Sequence, residues 1–259
     1  CSQSRGLGDV YKRQVLPRPR FTSWSRPSIW PSAIWSANTV WPRAGRGPMR
    51  LGMLTPSSNT VLEPVTAEIL ADRAGVTAHF SRLRVLQISL DGGSQAQFSH
   101  EPMLRAAELL ADARVDSICW NGTSSGWLGF EQDRLLCEAI RAHTGIPACS
   151  AVLGMNRLLE RAGVRRLALV TPYIEDVQRR IIANYEADGI ACVADRRLDI
   201  SDNFAFGEVS AATIRQMCLD VSLHGPDAIL IYCTNLAGAG IVRGIEAETG
   251  VPVLSLIHI

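Results

Sequence analysis

One pattern constrains this chain more than any other: a run of apolar strand, polar turn and amphipathic helix that occurs twice. "RLGMLTPSSNT" at 50–60 aligns with "RLALVTPYIED" at 166–176. "VDSICWNGTSS" at 115–125 aligns with "PDAILIYCTNL" at 226–236, and "HTGIPACS" at 143–150 with "ETGVPVLS" at 248–255. The three segments keep their order, and the offset drifts only as changes in loop length would make it drift. Self-similarity of this kind marks two related structural units.

Within each unit, short apolar runs alternate with stretches of helical period. Strands are predicted at 50–54, 77–84, 115–120, 166–171, 190–196 and 227–232, with a short one near 252–255. Helices are predicted at 60–73, 101–112, 131–143, 151–163, 174–187, 208–223 and 237–248. Such alternation implies parallel sheets covered by helices on both faces. The fold class expected is α/β: two pseudo-symmetric flavodoxin-like lobes, 49–164 and 165–259, with an active site in the cleft between them. Residues 1–48 lack both periods and are rich in Arg, Pro, Ser and Trp. They are read as a non-native or disordered leader. "CSQSRGLGDVYKRQ" and the terminal "SLIHI" are similar to translated sequencing-adapter sequence on a metagenomic fragment, and the second lobe is expected to lack its last helix.

Composition narrows the function classes. A net charge of +1 over 259 residues offers no basic surface for nucleic acid. No apolar run approaches the ~20 residues of a membrane span. The seven cysteines form no C-x-x-C pair. Cys119, Cys137, Cys149, Cys192 and Cys218 lie in apolar segments and are read as small buried hydrophobes. No signal-peptide pattern is present, so a reducing cytoplasm is expected.

Ligands of open parallel sheets bind beyond the carboxyl ends of the strands. The turns at those ends are Pro56-Ser57-Ser58-Asn59, Gly122-Thr123-Ser124, Pro172-Tyr173 and Cys233-Thr234-Asn235. A pseudo-two-fold between the lobes would bring them to one cleft. "NGTSSG" at 121–126 suits an anion cradle of hydroxyls and backbone N–H groups, with glycine allowing close approach; a plain helix-capping turn would share this composition. In the repeat Gly122 corresponds to Cys233, and Ser57 to Tyr173. Cys233 can donate a proton as thiol or act as a base when ionised, or be a buried structural thiol. Asn59 and Asn235 can bind a carboxylate through their amides or cap helices. Arg82 and Arg84 share one strand face, expected to be solvated. Trp127 and Phe130 fit either an aryl pocket or the core.

On these residues — the doubled strand-turn pattern, "PSSNT", "TPYIEDV" and "YCTN" — residues 49–254 resemble the aspartate/glutamate racemase superfamily, in the branch of maleate cis-trans isomerases and arylmalonate decarboxylases. The resemblance implies cofactor-free chemistry at the carbon next to a carboxylate of a small dicarboxylic acid. Racemases and isomerases of this type have a cysteine from each lobe. This chain departs in having Gly122, and the glycine followed by Thr-Ser is similar to the decarboxylases. The resemblance then implies that Thr123, Ser124 and Tyr173 stabilise an enediolate and that Cys233 protonates it. Ser57, Asn59, Gly122, Ser125, Thr234 and Asn235 would surround the substrate. "HFSRLRV" at 79–85, the "SSNT" run and Cys-Thr-Asn in place of Cys-Gly-Gly are closer to the isomerases. Lyase and isomerase or racemase readings both stand, as does a non-catalytic small-acid binding protein. Neither metal nor cofactor is expected, and a homo-oligomeric state is left open.

Overall fold

The computed structural model describes residues 47–93 and 97–258. The expectation of a leader over 1–48 therefore falls almost wholly outside the described residues.

Two four-stranded parallel sheets carry the fold. The first comprises β1 (Met49–Pro56), β2 (Val76–Leu83), β3 (Ser117–Trp120) and β4 (Ala148–Ser150), in the order β2-β1-β3-β4. The second comprises β5 (Arg166–Thr171), β6 (Ala191–Arg197), β7 (Ala228–Ile231) and β8 (Val253–Ser255), in the order β6-β5-β7-β8. The strand order is the same in both. In each, the chain reverses direction across the sheet between the first and third strands, the place where such sheets bind ligands. Helices α1 (Leu62–Leu70), α2 (His100–Asp112), α3 (Ser125–Leu128), α4 (Glu131–Thr144) and α5 (Ala151–Ala162) accompany the first sheet. Helices α6 (Glu175–Ala187), α7 (Ala211–Ser222) and α8 (Val242–Thr249) accompany the second.

The sequence repeat is reproduced bond by bond. Asp116 Oδ2 accepts from the Arg50 N–H at 2.7 Å, and Asp227 Oδ2 accepts from the Arg166 N–H at 2.8 Å. Thr144 Oγ1 donates to Ile140 O at 2.7 Å and accepts from the Ile146 N–H at 3.2 Å; Thr249 does the same with Ile245 and Val251 at 2.8 and 3.2 Å. Gly145 and Gly250 then close α4 and α8 with φ of 73° and 68°, a left-handed conformation that glycine adopts without steric cost. The two "TGxP" motifs are thus helix stops that aim the chain into β4 and β8.

The central strands are fully apolar where both faces are covered. Ala228, Ile229, Leu230 and Ile231 of β7 are all at 0% exposure, the pattern of a parallel strand between two helix layers. Ser150 and Ser210 cap α5 and α7, their Oγ atoms accepting from the Leu153 and Thr213 N–H groups at 3.1 Å each.

Several elements differ from expectation. The helix predicted at 237–248 begins only at Val242, after a single 3-10 turn at Ala239–Ile241. Gly238, just before that turn, packs so close to Ile231 that a Cβ there would lie 2.7 Å from Ile231 Cδ1. The short helix α3 and strand β4 were not predicted: four residues hold too little periodicity to register as a helix, and Ala148-Cys149-Ser150 is less apolar than its counterpart Val253-Leu254-Ser255. Of the cysteines read as buried hydrophobes, Cys218 is buried, Cys119, Cys137 and Cys192 are partly buried, and Cys149 is exposed on edge strand β4.

Candidate active site

The four turns singled out in the sequence meet between the two sheets. The lobes are joined first by a short antiparallel strap: Ile88 N–H donates to Ser201 O at 2.8 Å, and Asn203 N–H to Leu86 O at 2.9 Å. Asparagine side chains lock the seam. Asn59 Oδ1 accepts from the N–H groups of Val61 and Leu62, capping its own helix, at 3.0 and 2.9 Å. Asn235, from the other lobe, reaches across and accepts from the N–H groups of Thr60 and Val61 at 3.0 and 3.2 Å. Asn59 Nδ2 returns the contact to Thr234 O and Oγ1 at 3.0 and 3.3 Å, and Thr234 Oγ1 donates to Asn121 O at 2.9 Å.

This changes the work expected of three residues. Both N–H groups of the Asn59 amide are committed to Thr234, and the Thr234 hydroxyl to Asn121. Asn235 Nδ2 gives one hydrogen bond to Asn203 O at 2.6 Å. Asn59, Thr234 and Asn235 therefore form an interlobe clasp rather than a set of free carboxylate donors.

The remaining candidates converge. Thr123 Oγ1 lies 2.6 Å from Tyr173 Oη, a direct contact between the lobes. Cys233 lies on the same side, close enough to the Tyr173 hydroxyl for each to shift the other's ionisation, and accepts from the Asn235 N–H at 3.3 Å. Ser124 is buried at the turn, and Ser125 opens α3 with its buried hydroxyl without a hydrogen-bond partner. Gly122 is buried between Asn121 and Thr123, both of which touch the second lobe. Ser57 is half-buried; its Oγ accepts from the Val85 N–H at 3.3 Å and its C=O from Arg82 at 2.8 Å. Arg82 also donates to Asn59 O at 3.0 Å and pairs with Glu63 at 2.8 Å, so it braces the "PSSNT" turn. Trp127 and Phe206 pack edge-on against Tyr173, with ring centroids 5.5 Å away in each case.

The electrostatics are those of a buried, uncharged cluster. Burial raises the Tyr173 phenol well above its ordinary value, helped by the neighbouring Cys233 and opposed by Thr123, so it stays a donor. Burial pushes the Cys233 thiol up to about 11, against the lowering effect of the Asn235 N–H and the Tyr173 hydroxyl. Thr123, Ser124, Tyr173 and Cys233 thus offer hydroxyl and thiol hydrogens and no formal charge. Behind them burial raises Asp133 to about 6, opposed by the Ser150 and Ser125 hydroxyls. Among the described residues no group of three or more His, Cys, Asp or Glu is arranged to hold a metal ion. No helix among them is long and apolar enough to cross a membrane.

Sequence reasoning missed Ser58 and Asn203. Ser58 Oγ donates to Val85 O at 2.6 Å and accepts from Asn203 Nδ2 at 2.7 Å, completing the strap. Ser58 was visible within "PSSNT", whereas Asn203 lies in a loop with no counterpart in the repeat.

Two like lobes with a cleft lined by neutral donors and one thiol define a class: the two-lobed α/β fold of the Asp/Glu racemase type. Comparison with known proteins narrows it. Residues 51–257 match the family model "Arylmalonate decarboxylase". The chain is 27% identical over 208 residues to arylmalonate decarboxylase of Bordetella bronchiseptica, covering 78% of this chain and 85% of that one. It is 24% identical over 219 residues to maleate isomerase of Alcaligenes faecalis, covering 80% and 85%. A liganded glycine-to-cysteine, cysteine-to-serine double mutant of arylmalonate decarboxylase superposes with a TM-score of 0.72 at 25% identity, covering 81% of this chain and 88% of that one. The chain belongs to the arylmalonate decarboxylase family, on the isomerase and lyase branch of the Asp/Glu racemase superfamily.

Proposed function

We propose that this enzyme decarboxylates a small malonate-type dicarboxylic acid without a cofactor. The observation that carries the reading is the Thr123–Tyr173–Cys233 constellation, with Gly122 standing where a second thiol would be needed. One carboxylate sits against the Thr123, Ser124 and Tyr173 hydroxyls, with Ser57 at the mouth. The bond from the central carbon to the other carboxylate breaks, and carbon dioxide leaves. The bonding pair becomes the enediolate of the remaining acid, stabilised by those neutral donors. Each such donor typically contributes ~2.7–4 kcal/mol to barrier lowering. Cys233 Sγ gives its proton to the carbon, and solvent returns one to the thiolate.

A single thiol supports this step better than its rivals. Two-base racemisation needs an acid on each face of the carbon. Covalent isomerisation needs a thiolate, and a thiol with its pKa near 11 is a poor source of one at neutral pH. The maleate isomerase relative keeps isomerisation as the second reading. A reducing cytoplasm fits the free thiols.

The test is incubation with phenylmalonate, methylmalonate derivatives, maleate and aspartate in deuterium oxide, followed by proton NMR. Loss of carbon dioxide with one deuterium added, abolished in Cys233→Ser and reduced about 100-fold in Tyr173→Phe, is the expected result. Fumarate from maleate would overturn it in favour of the isomerase. Undiminished ligand binding without turnover of any acid would favour a binding protein.

A further inference from the structure

The turn at Gly122 is glycine for a reason outside the turn. A Cβ on residue 122 would overlap the indole of Trp120 at Cζ2 and Cε2, and would lie 2.6 Å from Cη2. Residues 120 and 122 are two apart at a strand end, so their side chains leave on the same side. Residue 122 itself sits at the seam between the lobes. Asn121 O accepts from Thr234 Oγ1, Thr123 Oγ1 meets Tyr173 Oη, and residue 122 lies between them, opposite Cys233 in the repeat. The indole therefore fills the volume into which any side chain at 122 would project.

A second observation points to a ligand there. Trp120 is fully buried, yet its Nε1–H has no hydrogen-bond partner. The nitrogen is one bond from Cε2, so it lies beside the cradle. Leaving a buried donor unpaired costs free energy, and such groups in folded proteins are commonly completed by a ligand or water. Trp127, which packs on Tyr173, also has an unpartnered Nε1–H. Indoles are donors only, so an unpaired pair of them favours an anion.

We propose that Trp120 is the specificity-determining residue of the first lobe: its indole takes the place of a side chain at 122 and offers its Nε1–H to the bound acid. The inference deepens the decarboxylase reading and rests on it for the identity of the acid, but not for the steric coupling. Trp120 limits the bulk of the acid on the first-lobe side and keeps a second thiol out of the cleft. Converting Gly122 to cysteine is then insufficient to install one unless residue 120 is made smaller.

The steric part is tested with Gly122→Ala, Trp120→Leu and the double variant by thermal unfolding. Overpacking predicts that Gly122→Ala alone melts about 4–10 °C below the parent. Added to Trp120→Leu, the same change is expected to lower the midpoint by no more than about 2 °C. Equal losses in the two backgrounds would overturn the coupling. The ligand part is tested by calorimetry in a Cys233→Ser background, where turnover does not intervene. The ratio of malonate to phenylmalonate affinity is expected to fall at least about 10-fold with Trp120→Leu, because the small acid loses a donor while the larger gains room. An unchanged ratio would mean that Trp120 only packs the core, and absence of binding by both acids would likewise overturn the assignment. Binding with the expected ratio but no carbon dioxide release from the parent enzyme would refute the reaction and leave this inference intact.

Discussion

The protonation state of Cys233 separates proton donation from nucleophilic attack. Burial raises this thiol from 9.0 to about 11. At pH 7.5 a thiol of that pKa is ionised to about three parts in ten thousand. It holds about 100-fold less thiolate than an ordinary thiol at the same pH, a difference of about 3 kcal/mol. A proton donor works in that state; a nucleophile does not. The turnover rate, measured from pH 6 to 10 with carbon dioxide release as the signal, is therefore expected to be flat to pH 9 and to have fallen by only about a tenth at pH 10. Alkylation of Cys233 by iodoacetamide, read by peptide mass spectrometry, should be slow at pH 7.5 and rise about 10-fold per pH unit up to pH 10. Buried against Tyr173, the thiol has a second barrier in access, but access alone does not produce that slope. A turnover rate that climbs with pH between 7 and 9, or an alkylation midpoint near 7, would refute the reasoning and point to a resident thiolate.

Two further expectations concern stability. Asp133, raised from 3.8 to about 6, keeps its proton longer in the folded state than in the unfolded state. Its stabilising effect is therefore full below about pH 4 and lost as pH rises through 6. At pH 7.5 the buried carboxylate costs about 3 kcal/mol, so Asp133→Asn should melt at least about 5 °C above the parent at pH 7.5, with the gap closing by pH 4; a gap independent of pH would exclude this origin. Asn235→Ala removes two bonds to the start of α1 and one to Asn203, and urea unfolding should show a loss of about 2–5 kcal/mol. A loss under 0.5 kcal/mol, on the order of an ordinary surface change, would mean that the clasp is not the seam's main lock.

The sequence and the structure agree most where one local rule decides the outcome. The doubled "TGxP" motif is a helix stop in both places because threonine and glycine satisfy the last turn from within four residues. The equivalence of Asp116 and Asp227, each bonded to an arginine N–H, is also visible in the alignment of repeats. Legibility ended where two lobes share a residue. Asn235 was readable as a cap, but nothing in sequence says that the N–H group it caps, that of Val61 at the entry to α1, lies 174 residues earlier. Nothing in "SICWNG" singles out Trp120, and its conflict with a side chain at 122 exists only once the turn folds back beside the ring. Cys149 was misread as buried because an apolar run does not distinguish an edge strand from a central one.

The clasp also sets a timetable for synthesis. The Thr60 N–H needs Asn235, from which it is separated by 175 residues, and the Val61 N–H shares Asn235 with Asn59. At about 5–20 residues per second the ribosome takes on the order of 9–35 s to cover that distance. During that interval the first lobe emerges with the entry to α1 capped only by Asn59, and Thr123 waits for Tyr173. The nascent first lobe is thus a protein with its cradle open, and arrival of the second lobe both closes it and completes a helix made long before.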